Sequence, residues 1–238
     1  MDRLLTLFYD RTGIRFDRKK DMIVSKIERF FAERGITDAV NMAELFANDR
    51  ACYQELVNLL TVNETYFFRE MDALEIFARA AAEVEGFFRV LSVPCSTGEE
   101  AYSIAILLNE ACVSQNRYEI TAIDLNSETI ARAQEGVYSG RSLDRVAQAR
   151  LRRFFKPLGG GSFRVRDEIR SNINFLQCGL FDPLFDELGG FDFVFCRNLL
   201  IYFDQESRLK AEKALFDRMN TGGRLFMGHA DFIKNEIG

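Results

Sequence analysis

Residues 87–124 constrain this chain more than any other stretch. Phe87-Phe88-Arg89-Val90-Leu91-Ser92-Val93 reads as a short buried strand, followed by a turn of small residues, Pro94-Cys95-Ser96-Thr97-Gly98. Glu99 to Leu108 then carries helical apolar spacing at Ala101, Ile104, Ala105 and Leu108. A second strand, Glu119-Ile120-Thr121-Ala122-Ile123, ends in Asp124. Strand, tight turn, helix and a strand with a terminal acid make up the nucleotide-binding half of a doubly wound α/β sheet. The turn contains neither GxGxxG nor GxxxxGK[ST]. Glu99 and Glu100 open the helix where a phosphate loop would place a lysine, so phosphate is repelled while a ribose diol or a ligand ammonium is welcome. S-adenosylmethionine, a nucleoside with cationic sulfonium and amino groups and no phosphate, meets those terms. The same residues also describe a purely structural βαβ unit, because acids in a first helical turn are favoured by the macrodipole. Both readings stand at this point.

The 238 residues suffice for one sizeable α/β domain with a small helical companion. An apolar share of 47% with 28% charged residues marks a globular chain, not a disordered one. A net charge of -5 argues against general nucleic-acid affinity. The charge is uneven, for residues 1–35 carry nine Lys/Arg (Arg15, Arg18, Lys19, Lys26 and Arg29 among them) against six acids. Five cysteines lack framework spacing, and the single histidine, His229, cannot build a zinc site, so no metal is expected. The N-terminus, charged at Asp2 and Arg3, does not read as a signal peptide. No apolar run approaches the ~18 residues that span a bilayer. A reducing cytoplasm, no membrane insertion and a monomeric state are the expectations.

Residues 1–70 read as an all-helical unit, with amphipathic stretches from Leu4, from Met22 to Phe31, from Ala43 to Ala47 and from Cys52 to Leu60. A linking helix over 71–85 stops at Gly86, and 86–238 reads as the α/β domain. Within it Asn126 is placed to cap a helix running to Gln134. Residues 136–156 are mixed and basic, Gly159-Gly160-Gly161 marks a turn, and Ser162-Phe163-Arg164-Val165 alternates like an edge strand. Ile173–Cys178 and Phe191–Cys196 read as strands, Gln205–Met219 as a helix, and Arg224–Met227 as a last strand. A sheet of this kind normally continues past His229 with a helix and an antiparallel hairpin, so the sequence reads as part of a longer protein.

Two further segments carry candidate chemistry. Asn63-Glu64-Thr65-Tyr66-Phe67-Phe68-Arg69-Glu70 is either a helix start, with Asn63 or Thr65 as cap and the aromatics as staple, or a lid whose Arg69 fixes a carboxylate through its bidentate fork. Cys196-Arg197-Asn198, followed by Tyr202, leaves a central strand at its carboxyl end, where ligands bind in such sheets. Loop capping and a satisfied core tyrosine explain the same residues.

TVNETYFFRE at 61–70, SVPCSTGEEAYSIA at 92–105, AIDLNSETIARAQEGVY at 122–138, FDFVFCRNLLIYFD at 191–204 and MGHAD at 227–231 occur in this order. Together they closely resemble the chemotaxis-receptor glutamate O-methyltransferases, the CheR family. The resemblance implies a Rossmann-like methyltransferase sheet with an N-terminal helical domain and a small β-excursion, here about 157–170. It also implies S-adenosylmethionine as methyl donor. By matching position, Asn63, Thr65 and Arg69 belong to the cofactor and active-site segment, with Arg69 near the reacting centre. Glu100 matches the residue contacting the methionine part of the cofactor, and Asp124 the acid that holds the ribose hydroxyls. Arg197 and Asn198 match an RN pair beside the cofactor, Tyr202 a tyrosine facing the transferred methyl, and Leu180 a leucine flanking the adenine. Gly179 stands where some relatives have asparagine, which leaves only a backbone contact. Pro94-Cys95 replaces a pair of alanines.

The resemblance implies methyl-ester formation on glutamates in the cytoplasmic coiled coil of methyl-accepting chemotaxis receptors. The basic helical face bearing Arg15, Arg18, Lys19, Lys26 and Arg29 either steers that acidic partner or is a solvated surface. A related methyltransferase with another substrate, and a non-catalytic adenosylmethionine-binding module that docks receptors, are the alternatives. The second would tolerate loss of Arg69 and Tyr202.

Overall fold

The computed structural model describes residues 1–16 and 19–231. Four helices come first: α1 (Asp2–Thr12), α2 (Lys20–Ala32), α3 (Ala39–Asn48) and α4 (Arg50–Leu60). Their inward faces form one core that includes Leu4, Phe8, Ile27, Phe31, Phe46 and Leu56. Asp38 and Asp49 cap α3 and α4, Asp49 accepting the N–H groups of Ala51 and Cys52.

The last of these helices ends at Leu60, where the apolar spacing from Cys52 predicted its end. Residues 61–66 run without regular structure and 67–70 turn back sharply before α5 (Met71–Glu83). Asn63 and Thr65 cap nothing; the residue before α5 is Glu70, left-handed at φ 52°. The reason is burial. Phe67 and Phe68 enter the main core, and the chain has to reverse to put both there.

The sheet that follows is parallel, in the order β6-β2-β1-β7-β8. Its strands are β1 (Phe88–Ser92), β2 (Tyr118–Asp124), β6 (Ile173–Gln177), β7 (Phe191–Cys196) and β8 (Met219–Met227). Near-continuous apolar runs suit strands covered on both faces. Helix α6 (Glu99–Glu110) joins β1 to β2, and α7 (Ser127–Glu135) leaves β2 with Asn126 accepting from the N–H groups of Glu128 and Thr129. On α5, Phe77 packs edge-on against Phe193 and Phe195, with centroids 5.1 Å away in each case. Because β1 has β2 on one side and β7 on the other, the chain order reverses beside β1. The carboxyl ends of these three strands therefore flank the crevice where such sheets bind ligands.

Between β2 and β6 lies a three-stranded antiparallel sheet of β3 (Val137–Tyr138), β4 (Phe155–Gly159) and β5 (Ser162–Val165), with α8 (Gln148–Phe154) before β4 and α9 (Asp167–Arg170) after β5. Its order, β3-β5-β4, puts Ser162–Val165 in the middle, not at the edge that the alternation suggested. A two-residue strand such as Val137–Tyr138 carries no periodicity, so its pairing was invisible in sequence. After α10 (Pro183–Glu187) and β7, helix α11 (Gln205–Asp217) stops two residues before Met219. Met219 is already paired with Phe191, so β8 begins five residues before the expected Arg224.

Candidate functional site

A cavity of about 790 Å³ opens between the helical layer and the carboxyl ends of β1, β2 and β7, within the range of pockets that hold drug-sized ligands. Asn63, Thr65, Arg69, Glu100, Asp124, Gly179, Leu180, Arg197, Asn198 and Tyr202, expected from sequence to serve the site, all line it.

Asp124 is buried where β2 ends. Its Oδ2 accepts the Ser96 N–H and its Oδ1 the Asn126 N–H, both at 2.8 Å. Burial pushes this carboxyl up, and the two backbone donors and the Thr129 side chain oppose it. The turn beneath depends on Gly98, at φ 93°, where a Cβ would stand 2.9 Å from that of Ala133. That close approach lets α6 start directly under the cavity.

Arg197 is the hub of the floor. Only 4% exposed, it donates from Nη1 to Glu100 Oε2 at 2.9 Å and from Nη2 to Glu70 Oε2 at 3.1 Å. Nη2 also reaches the Arg69 carbonyl at 2.5 Å. Its Nε–H, buried, has no partner. Glu100 Oε1 accepts the Ser92 hydroxyl at 2.7 Å, so both of its oxygens are held in place. Burial works to raise Glu70, but the Arg197 guanidinium and the His229 amide hold it below the usual carboxylate range. Glu70 is the main participant that sequence reasoning missed. Its neighbour Arg69 stands 4.0 Å from it, and the tighter partner is Arg197.

Arg69 donates to the Glu64 carbonyl at 3.0 Å and lies 5.8 Å from the Tyr66 ring centroid. It stays partly exposed toward the cavity. Tyr202 closes a single 3₁₀ turn, Leu200–Tyr202, and burial raises its phenol. Its carbonyl accepts the Arg15 N–H at 3.2 Å, which ties it to the helical layer. A Cβ at Gly179 would meet Leu125 Cδ1 at 3.1 Å, so an asparagine there would crowd the wall.

Glu99 behaves differently from its neighbour. It turns away from the cavity to accept Thr97 Oγ1 at 2.6 Å and Ser142 Oγ at 2.7 Å, and burial pushes its carboxyl up. Adjacent helical residues point about 100° apart, so one acid of the pair, Glu100, faces the ligand. The phosphate-repelling charge at the helix start is thus half of what the sequence suggested. Glu100 and Asp124 are the acids of the floor, opposite Arg69 and Arg197, and Glu70 holds Arg197 from outside the cavity.

The basic helical face divides. Arg15 pairs with Asp204 at 3.0 Å, and Asp204 also accepts the Tyr9 hydroxyl at 2.9 Å. Lys19 and Lys26 line the rim of the cavity. Arg29 is exposed away from it, and Arg18 lies outside the described residues.

The family model for the CheR methyltransferase SAM-binding domain matches residues 63–237. The chain belongs to the CheR methyltransferase family. It is 34% identical to chemotaxis protein methyltransferase 2 of Vibrio cholerae, over 96% of this chain and 84% of that one. The chemotaxis protein methyltransferase of Campylobacter jejuni strain 81-176 is 33% identical over 100% of this chain and 90% of its own. That of Salmonella typhimurium is 34% identical over 99% and 84%.

The residues present fit S-adenosylmethionine. The unpartnered Nε–H of Arg197 suits a carboxylate, the Asp124 carboxylate at the end of β2 suits a ribose diol, and the Glu100 carboxylate suits a ligand ammonium. This CheR-family chain is a methyltransferase with a SAM-binding fold. No helix among the described residues is long and apolar enough to cross a membrane, and no cluster of three or more His, Cys, Asp or Glu among them could hold a metal.

Proposed function

We propose that this protein methylates glutamate side chains in the cytoplasmic coiled coil of methyl-accepting chemotaxis receptors, forming methyl esters. The observation that carries the reading is Arg197, buried between Glu70 and Glu100 with its Nε–H open, beside Asp124 at the end of β2. When bound, S-adenosylmethionine supplies an electrophilic methyl group on a sulfonium. Asp124 accepts the ribose hydroxyls, while Arg197 and Glu100 hold the amino-acid end. Leu180 and the Gly179 backbone flank the base, with Asn63, Thr65 and Asn198 along the wall. Arg69 presents its guanidinium to the incoming carboxylate and Tyr202 lines the transfer path.

A substrate glutamate of pKa ~4.3 is already ionised at neutral pH, so its oxygen attacks without a general base. A C–O bond forms as the C–S bond breaks, and the electron pair stays on sulfur. The protein orients and desolvates two reactants, effects that contribute roughly 7–11 kcal/mol. Residues 86–238 serve as the cofactor unit and 1–70 as the receptor-facing unit, joined by 71–85. Lys19 and Lys26 at the rim fit an acidic helical partner.

Incubation with radiolabelled S-adenosylmethionine and receptor membranes tests the reading. Label on the receptor that is released as methanol by mild alkali is expected. Alkali-stable label, or label on another acceptor alone, would defeat it.

A further inference from the structure

Beyond β8, residues 228–231 form a strap that is fastened to two walls of the cavity. Asp231, 6% exposed, accepts the backbone N–H of Asn198 and donates its own N–H to the Gly228 carbonyl at 2.9 Å. The His229 N–H donates to Glu70 Oε2 at 3.2 Å. These fastenings reach different segments. Asn198 lies in the loop between Arg197 and Tyr202, and Glu70 lies next to Arg69.

The fit is close. A Cβ at Gly228 would stand 2.9 Å from Asn198 Nδ2 and 2.8 Å from Asp231 Oδ2. The backbone is left-handed on both walls, at Asn198 (φ 60°), Glu70 (φ 52°) and Phe68 (φ 58°). Non-glycine residues keep such angles only where the surroundings hold them, and they gather at functional sites. The backbone amides of Leu200 and Ile201 also act on the Asp231 carboxylate, so it gathers the turn that leads to Tyr202. Asp231 does not line the cavity itself, so it touches neither reactant.

We infer that Asp231 is a positioning residue for methyl transfer. Acting through Asn198, it fixes the turn from which Tyr202 projects, whereas Arg197 is held by its own pairs with Glu70 and Glu100. Through the strap and Glu70, it sets the spacing between that turn and the segment bearing Arg69. The inference rests on the function proposed above, because the spacing matters only if Tyr202 and Arg69 face each other across the reacting atoms.

Receptor methylation by wild type, Asp231→Ala, Asp231→Asn and Gly228→Ala tests it, alongside calorimetric titration with S-adenosylhomocysteine. Asp231→Ala is expected to lower kcat at least tenfold while the product's Kd stays within threefold. Asp231→Asn, whose amide oxygen can still accept the Asn198 N–H, should return kcat to within threefold of wild type. Gly228→Ala keeps both side chains but wedges strap from loop, and should reproduce the kcat loss. If Asp231→Ala does not fold, Gly228→Ala decides by the same two readings. Wild-type turnover in Asp231→Ala and Gly228→Ala, or affinity falling in step with kcat, overturns the inference. A wild-type protein that forms no ester overturns the functional reading instead.

Discussion

On the cavity floor Asp124, Glu100 and Arg197 hold partners at 2.7–3.1 Å through both oxygens or both terminal nitrogens. At the rim Lys19 and Lys26 face the same cavity from α2 and its approach, and among the described residues neither makes an ion pair. The floor is built on strand ends, and its geometry exists before any ligand arrives. The rim is built on the helical layer, where charge acts through solvent and over distance. Two kinds of recognition follow. A small, fixed cofactor suits the floor, whereas a large acidic partner suits the rim.

The contrast breaks most visibly at Arg197. Arg197→Ala leaves the partly buried Glu70 and Glu100 without their cation, a change that costs about 3 kcal/mol. The thermal midpoint should fall by on the order of 10 °C, and S-adenosylhomocysteine binding should become undetectable by calorimetry. A stable variant that still binds would show that the floor is not preassembled around this residue. Arg69→Ala is the next largest effect. Because Arg69 lies on the wall and stays partly exposed, the fold should survive while kcat drops by ~10²-fold, as when one preorganised donor is lost. Near-wild-type turnover would remove Arg69 from the reaction.

Asp124 tests the floor through pH as well. Charge-assisted hydrogen bonds contribute about 1.5–3 kcal/mol each, so Asp124→Ala should weaken S-adenosylhomocysteine at least tenfold. In the wild type, burial raises this carboxyl, so it takes up its proton above the ordinary aspartate value of ~3.9. Product affinity should therefore decline as the pH falls from neutrality toward that value, and Asp124→Asn should lack the decline. The stability signs of Asp124 and Glu70 are opposite. A raised carboxyl disfavours the fold at neutral pH, and protonation relieves that cost as the pH falls through the folded value. Glu70 is depressed, so its stabilisation is present above ~4.3 and lost as the pH drops through its lower folded value. Mild acid should weaken the ligand before it weakens the fold.

The floor was far more legible in the sequence than its connections. Asp124 and Glu100 sit at positions fixed by the strand-turn-helix pattern, so local spacing located them. Asn126 was readable as a cap for the same reason. Glu70 and Asp231 were not, because their partners Arg197 and Asn198 are 127 and 33 residues away in sequence. No local pattern encodes such a pairing. Glu99 and Glu100 show the opposite failure, as adjacent acids of one composition point to different surroundings. Of the two readings of residues 63–70, the helix start capped by Asn63 or Thr65 fails for a third reason: burial of Phe67 and Phe68 turns the chain back before α5 begins.

The rim carries the smallest expected effect. If Lys19 and Lys26 steer an acidic helix, raising ionic strength from 0.05 to 0.3 M shortens the Debye length from about 14 Å to about 6 Å, and KM for the receptor should rise a few-fold. Product binding on the floor should barely change over that range, since its charges are buried and already paired. Lys19→Glu with Lys26→Glu should raise KM further and flatten the salt response, leaving kcat at saturating receptor intact. The ratio of the two salt slopes, receptor KM against product Kd, separates rim from floor without a structure. Equal slopes would mean that a single electrostatic field serves both ligands, and the division between them would have to be abandoned.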